Sequence, residues 1–273
     1  MKLLNVLCIG AHPDDCESAM GGTAALMVDR GDTVRFLALT NGDKGHYADE
    51  YRREPRLLAE RRHLEALRAA AVLGCEYQCL GWHDGEVYVT PDATEAVVRA
   101  IRGFGKAGEG PDLIVTNRPC DYHRDHRYGA QLVLDAVYML TVPLACPDMP
   151  HLSRLPVVAY WQDHFVETGA FRCDRAVSID PAMERKVSAI QEHRSQFCEW
   201  IPYNAGSHSA FSDFPIDERS QRERLSRIFE SAAADVANAY RSHLPITTRY
   251  AEAFQISDYG AVPEPDELRS YFP

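Results

Sequence analysis

The chain alternates short apolar runs with longer amphipathic ones. Residues 3–10, LLNVLCIG, are almost continuously apolar, the pattern of a strand buried on both faces. Residues 17–30 carry Ala, Met and Leu on one face and end at Gly31-Asp32, which predicts a helix. A second strand is predicted at 33–40 (TVRFLALT), followed by a Gly- and Asp-containing loop at 41–51. A long helix at 55–73 stops at Gly74. The same logic predicts a short strand at 77–80, a helix at 91–103, a buried strand at 112–116 (DLIVT) and a helix at 128–139. A Pro-rich stretch at 141–153 gives way to strands at 157–167 and 175–179. A helix at 181–198, an irregular aromatic-rich segment at 200–214 and a polar helix at 217–241 complete the reading.

Strands alternating with helices predict an α/β fold, a Rossmann-like, mostly parallel sheet with helices on both faces. No repeat or linker interrupts the 273 residues, so one domain is expected: a core over 1–140 and a C-terminal extension over 141–273 that completes the pocket. In such sheets ligands bind beyond the carboxyl ends of the strands.

Composition narrows the function classes. The net charge is −11, with 29 basic and 40 acidic residues and no long basic run, which argues against a nucleic-acid partner. Asp14 and Asp15 arrive too early for an export signal, and no apolar run approaches the ~18–20 residues of a membrane span. A cytoplasmic protein with no membrane partner is expected. The eight scattered cysteines then read as reduced thiols.

Two loops at the expected ligand edge carry unusual chemistry. One follows the first strand and holds His12, Asp14 and Asp15. The other is 119–126, PCDYHRDH, with His123, Asp125 and His126. Adjacent carboxylates repel and resist burial unless a cation joins them. Two imidazoles and one carboxylate with open positions suit Zn²⁺ in a hydrolase or Fe²⁺ in an oxygenase. One aspartate of the first loop then serves the metal, and the other is a candidate general base toward water. His123 is a candidate to polarise a carbonyl or protonate a leaving amine, and Asp125 to fix the tautomer of a histidine. A dinucleotide-binding module is the contrasting class, but its Gly-x-Gly-x-x-Gly turn is replaced here by His-Pro-Asp-Asp.

These motifs resemble the LmbE-like, or PIG-L, family of zinc-dependent N-deacetylases. The likeness runs through AHPDDCE at 11–17, GGT at 21–23, LTNGDKG at 39–45 and Arg62-x-x-Glu65 with AAAVLG at 69–74. It continues through PCDYHRDH, SIDPAMERKVSAIQEHRSQF at 178–197 and YAEAF at 250–254. The resemblance implies His12, Asp15 and His126 as ligands of one Zn²⁺, or another divalent metal such as Fe²⁺. It implies Asp14 as general base, and His123 as oxyanion stabiliser or acid with Asp125 supporting it. Arg62 and Asp84 match positions that contact sugar hydroxyls in some members, with Arg61 competing for the first of these. One departure stands out: Asp121 replaces an aromatic residue found in some members. His193 matches a motif position with no chemistry attached. The implied activity is removal of an N-acetyl group from a GlcNAc-type sugar or small sugar conjugate. A deacylase of a non-sugar amide is the alternative. Family members often assemble, so a homo-oligomer is compatible with the resemblance.

Overall fold

A computed structural model describes residues 2–206 and 209–273. Its centre is a seven-stranded sheet ordered β3-β2-β1-β4-β5-β7-β6. The strands are β1 (Asn5–Gly10), β2 (Thr33–Thr40), β3 (Glu76–Trp82), β4 (Leu113–Thr116), β5 (Val157–Trp161), β6 (Arg175–Ser178) and β7 (Ala251–Ile256). Pairing is parallel from β3 through β5, and β7 runs antiparallel to both β5 and β6. The mostly parallel α/β fold expected from the alternation is therefore present. The segments expected as an extension lengthen the same sheet.

The alternation within β1 explains its continuous apolar run. Val6 and Cys8 join a core on one face with Met20, Ala69 and Phe254, while Leu7 and Ile9 join a second core with Val97, Val133 and Val158. A strand buried on both faces has no position for a polar side chain.

The helices are α1 (Asp15–Arg30), α2 (Asp49–Arg53), α3 (Pro55–Leu73), α4 (Pro91–Arg102), α5 (Arg124–Met139), α6 (Met183–Glu192), α7 (Ile201–Asn204), α8 (Glu218–Ala239) and α9 (Pro265–Tyr271). Several differ from expectation for physical reasons. The α1 helix begins two residues early, directly after Asp14. The α5 helix starts at Arg124 because the His123 side chain caps it by accepting from the Asp125 N–H. The helix expected at 181–198 is broken: a short 3₁₀ turn leads into α6, and Ser195–Trp200 forms a π turn after His193 leaves helical geometry. The strand expected to 167 ends at Trp161, and the chain beyond is held as a loop by Arg118. Of the irregular stretch expected at 200–214, residues 207 and 208 lie outside the described residues. The sequence pattern missed β7 and α9.

Strand order reverses around β1, whose neighbours are β2 on one side and β4 on the other. The loops after β1 and β4 therefore diverge and leave a crevice at the carboxyl edge. Among the described residues, no helix is long and apolar enough to cross a membrane.

Candidate metal centre and active site

The turn after β1 is tight. A Cβ added to Gly10 would lie 2.7 Å from Asp15 Cβ, so the first turn of α1 folds back over the strand end. Asp14 sits at the cap of α1 with φ 145°, a backbone region that L residues rarely adopt. This turn aims Asp14 and Asp15 in different directions. Asp15 Oδ2 accepts from the His12 backbone N–H at 2.9 Å, and Asp14 Oδ1 accepts from Arg62 at 2.9 Å.

His12 meets the second loop. Its Nδ1 lies 3.1 Å from His126 Nε2, and Asp15 oxygens lie 3.7 Å from His12 Nδ1 and 3.4 Å from His126 Nε2. His126 is oriented from behind, with its Nδ1 3.0 Å from Asp121 Oδ2. With that proton on Nδ1, Nε2 presents a lone pair. The far nitrogen of His12 faces Asp84 at 3.2 Å and Asp125 at 3.4 Å, although neither gives it a hydrogen bond of good geometry. A proton there leaves Nδ1 as a lone pair too. With both rings neutral in these tautomers, two ring nitrogens and Asp15 form a cluster of acceptors, a donor set that fits a divalent cation in place of the protons the surrounding carboxylates attract. Asp15 reaches the two rings with different oxygens, Oδ2 toward His12 and Oδ1 toward His126. Among the described residues, the triplets whose ligand atoms all lie within 4.8 Å of one another are His12/His123/His126 and His12/Asp84/Asp125.

The electrostatics follow from this crowding. Burial pushes the Asp14 carboxyl up to about 6, against the pull of the Arg62 guanidinium. Burial acts the same way on Asp15, but His126 and His12 hold its carboxyl well below the usual range. Burial would lower His12, yet Asp125 and Asp84 raise it to about 9. His126 is likewise raised, by Asp15 and Asp121 against burial. His123 is different: burial and the neighbouring His12 and His126 lower it, so it favours the neutral ring.

The pocket of about 270 Å³ is lined by His12, Asp14, Asp15, Arg62, Asp84, His123 and His126. All the expected site residues except Asp125 therefore share one wall. Asp125 is fully buried behind it, accepting from the Gly85 and Val87 N–H groups. Its carboxylate lies against His12; only its backbone N–H meets His123 Nδ1. The expected support of His123 by that carboxylate is thus redirected to His12. Arg62 is also redirected. It is 2% exposed, and its guanidinium donates to Asp14 and to the carbonyls of Pro13 and Gly42. A side chain on Gly42 would strike that guanidinium, and its φ of +68° also favours glycine. Arg61 instead forms a two-pronged pair with Glu199.

Several contributors escaped the sequence reading. Gln196, Phe197, Trp200 and Ile201 line the opposite wall from the π turn and the start of α7. The turn is tied down by Glu65, which accepts from the Ser195 N–H and hydroxyl. His193 is buried with Nε2 3.2 Å from Glu17 Oε1. His193 stands out in the sequence as a motif position, but its pairing with Glu17 had no local signal, because the two residues lie far apart in the chain. His46 stacks on Tyr47 and Tyr47 on Tyr203, outside the pocket lining.

Comparison with known proteins agrees with this construction. Residues 7–137 match the PIG-L family, described as GlcNAc-PI de-N-acetylase. The diacetylchitobiose deacetylase of Thermococcus kodakarensis is 31% identical over 211 residues, covering 72% of this chain and 74% of that protein. Among solved structures, N,N'-diacetylchitobiose deacetylase from Pyrococcus horikoshii superposes with TM-score 0.72 at 24% identity, over 93% of this chain and 84% of that one. GalB, the 4-carboxy-2-hydroxymuconate hydratase of Pseudomonas putida, has the same fold, with TM-score 0.71 at 20% identity over 96% and 99% of the two chains. The sheet, its two polar loops and a deacetylase relative of this extent together make the chain a member of the PIG-L family of deacetylases.

Proposed function

We propose that the protein hydrolyses the N-acetyl group of a GlcNAc-type sugar or small sugar conjugate with a bound divalent metal, Zn²⁺ by preference. One observation carries the reading: His12 Nδ1, His126 Nε2 and Asp15 converge beside a separate, buried Asp14. His12, Asp15 and His126 would hold the metal. Asp125 and Asp84 face the far nitrogen of His12, and Asp125 already accepts from the Gly85 N–H, so the His12/Asp84/Asp125 triplet competes with contacts already made. When bound, the metal supplies Lewis acidity that polarises the amide carbonyl and makes water more acidic.

The chain's own groups do the rest. Asp14, held by Arg62, takes the proton of the attacking water. Neutral His123 donates a hydrogen bond to the oxygen that gains charge as the carbonyl carbon becomes tetrahedral. The proton collected by Asp14 then passes to the departing nitrogen, and the C–N bond breaks to give acetate and a free amine. With a metal bound, a proton on His126 Nδ1 toward Asp121 would leave Nε2 as the ligand atom, and a proton on His12 Nε2 toward Asp84 and Asp125 would leave Nδ1. Asp84, which lines the pocket, is the position for a sugar hydroxyl, while Arg62 turns inward to Asp14. The T. kodakarensis relative supports the substrate class by its name.

The test is acetate release from N-acetylglucosamine and N,N'-diacetylchitobiose, with metal content measured on the same preparation. Release that stops with chelator and returns with Zn²⁺ is expected. Bound metal with release only from non-sugar N-acyl amides would move the assignment to the alternative substrate class. No metal and no release would end the hydrolase reading.

A further inference from the structure

The reaction pocket is smaller than its neighbour. A cavity of about 530 Å³ opens between the 162–171 loop, α8 and the start of β7. Its wall is largely apolar, with Phe165, Phe171, Phe229, Val236 and Tyr240. Its buried charges are already matched. Lys186 Nζ donates to Glu252 Oε1 at 2.5 Å, and Glu252 also accepts from the Gly22 and Thr23 N–H groups. Asp163 is held by both prongs of Arg118 at 2.6 Å. Asp235 and His164 are exposed at its mouth. The interior therefore recognises apolar surface and offers no free charge.

The cavity adjoins the reaction centre. Ser18 lines both spaces, and its N–H donates to the Asp14 carbonyl one turn earlier at 3.0 Å. Tyr122 lines the reaction pocket, and its ring lies 6.2 Å from that of Phe165 in the cavity wall. Arg118, just beyond β4, fixes the loop by donating to the carbonyls of Phe165 and Gly169. The sheet order gives the direction. Asp84 follows β3 on one side of β1, whereas the cavity lies past β5 and β7 on the other. A substrate with its sugar toward Asp84 has its acyl group directed at the cavity.

We propose that this cavity is an acyl-group subsite, taking an unbranched aliphatic N-acyl chain longer than acetyl. The inference rests on the amide-hydrolysis reading above and specifies its substrate as an N-acylated amino sugar of medium chain length. Burial of each added methylene strengthens binding of ground state and transition state alike, so the gain falls on KM.

The experiment compares N-acetyl-, N-butanoyl-, N-hexanoyl- and N-octanoylglucosamine on the metal-loaded full-length protein. Two variants fill the cavity: Val236→Trp inside it and Ala232→Trp on its exposed rim, where folding is least at risk. The wild type should gain roughly threefold to fourfold in kcat/KM per methylene. Either variant should lose that gain and keep the N-acetyl rate. Calorimetry should show octanoate binding the wild type at least tenfold more tightly than acetate, and equally weakly in Val236→Trp. A flat or falling series, a gain retained in both variants, or a gain only when the chain sits on the anomeric oxygen overturns the proposal. If no amide is hydrolysed, the reaction assignment falls, while octanoate binding and its loss in the variants still decide the cavity.

Discussion

The two walls of the reaction pocket are built differently. Most of the chemical wall comes from the loops after β1 and β4, each packing its polar residues within a few positions of sequence, and Arg62 from α3 and Asp84 from the turn after β3 join it. The opposite wall comes from the π turn at Ser195–Trp200, more than a hundred residues from most of its anchors. In the first wall, local spacing sets both residue type and approximate direction. In the second, placement depends on Glu65 from α3 and on the pair of Arg61 with Glu199. Chemistry is therefore concentrated where the chain is locally constrained, and substrate shape where distant elements meet.

The comparison predicts that changes to the first wall alter turnover or metal binding, whereas changes to the second alter KM. The largest effect is expected at Asp14. Asp14→Asn should lower kcat by about 10²–10⁴-fold while metal content, read by elemental analysis, stays near one equivalent. A near-normal rate in that variant would remove Asp14 as the base. Asp121→Ala should come next, weakening metal affinity by about 10–100-fold in a chelator competition, because His126 loses the partner that fixes its tautomer. Unchanged affinity would mean that Asp121 does not orient a ligand.

Arg62 gives a smaller but more specific signature. Asp14 must be ionised to act, and its carboxyl is already pushed up to about 6 by burial, with Arg62 pulling it down. Weakening that pull raises it further. The acid limb of kcat/KM should therefore move to higher pH in Arg62→Lys, with a greater loss at pH 6 than at pH 8. An equal loss at both pH values would assign Arg62 to structure alone. The smallest effect is expected in the second wall. Ser195→Ala removes one hydrogen bond to Glu65, worth ~1 kcal/mol, so KM should rise a few-fold with kcat within twofold. A fall in kcat without a change in KM would place the π turn in the chemical step.

The sequence by itself determined the parallel part of the sheet, the two ligand loops and the family, because these depend on short-range patterns. The continuous apolar run of β1, the helix stop at Gly74 and the spacing of His12, Asp15, His123 and His126 are all local facts. Boundaries failed where capping decided them, as at Arg124, where the His123 side chain starts the helix. The pattern also missed β7, whose YAEAF core carries a buried Glu252 that looks wrong for an inner strand. Only the fold provides Lys186 and the Gly22 and Thr23 N–H groups that make that charge tolerable. Partner identity was decided in the same way. Asp125 faces His12 rather than its sequence neighbour His123, and Arg62 turns inward to Asp14. Residue types near a strand end follow from local chain geometry. Which carboxylate meets which ring depends on how separate strands and helices pack, a long-range outcome that no short window of sequence contains.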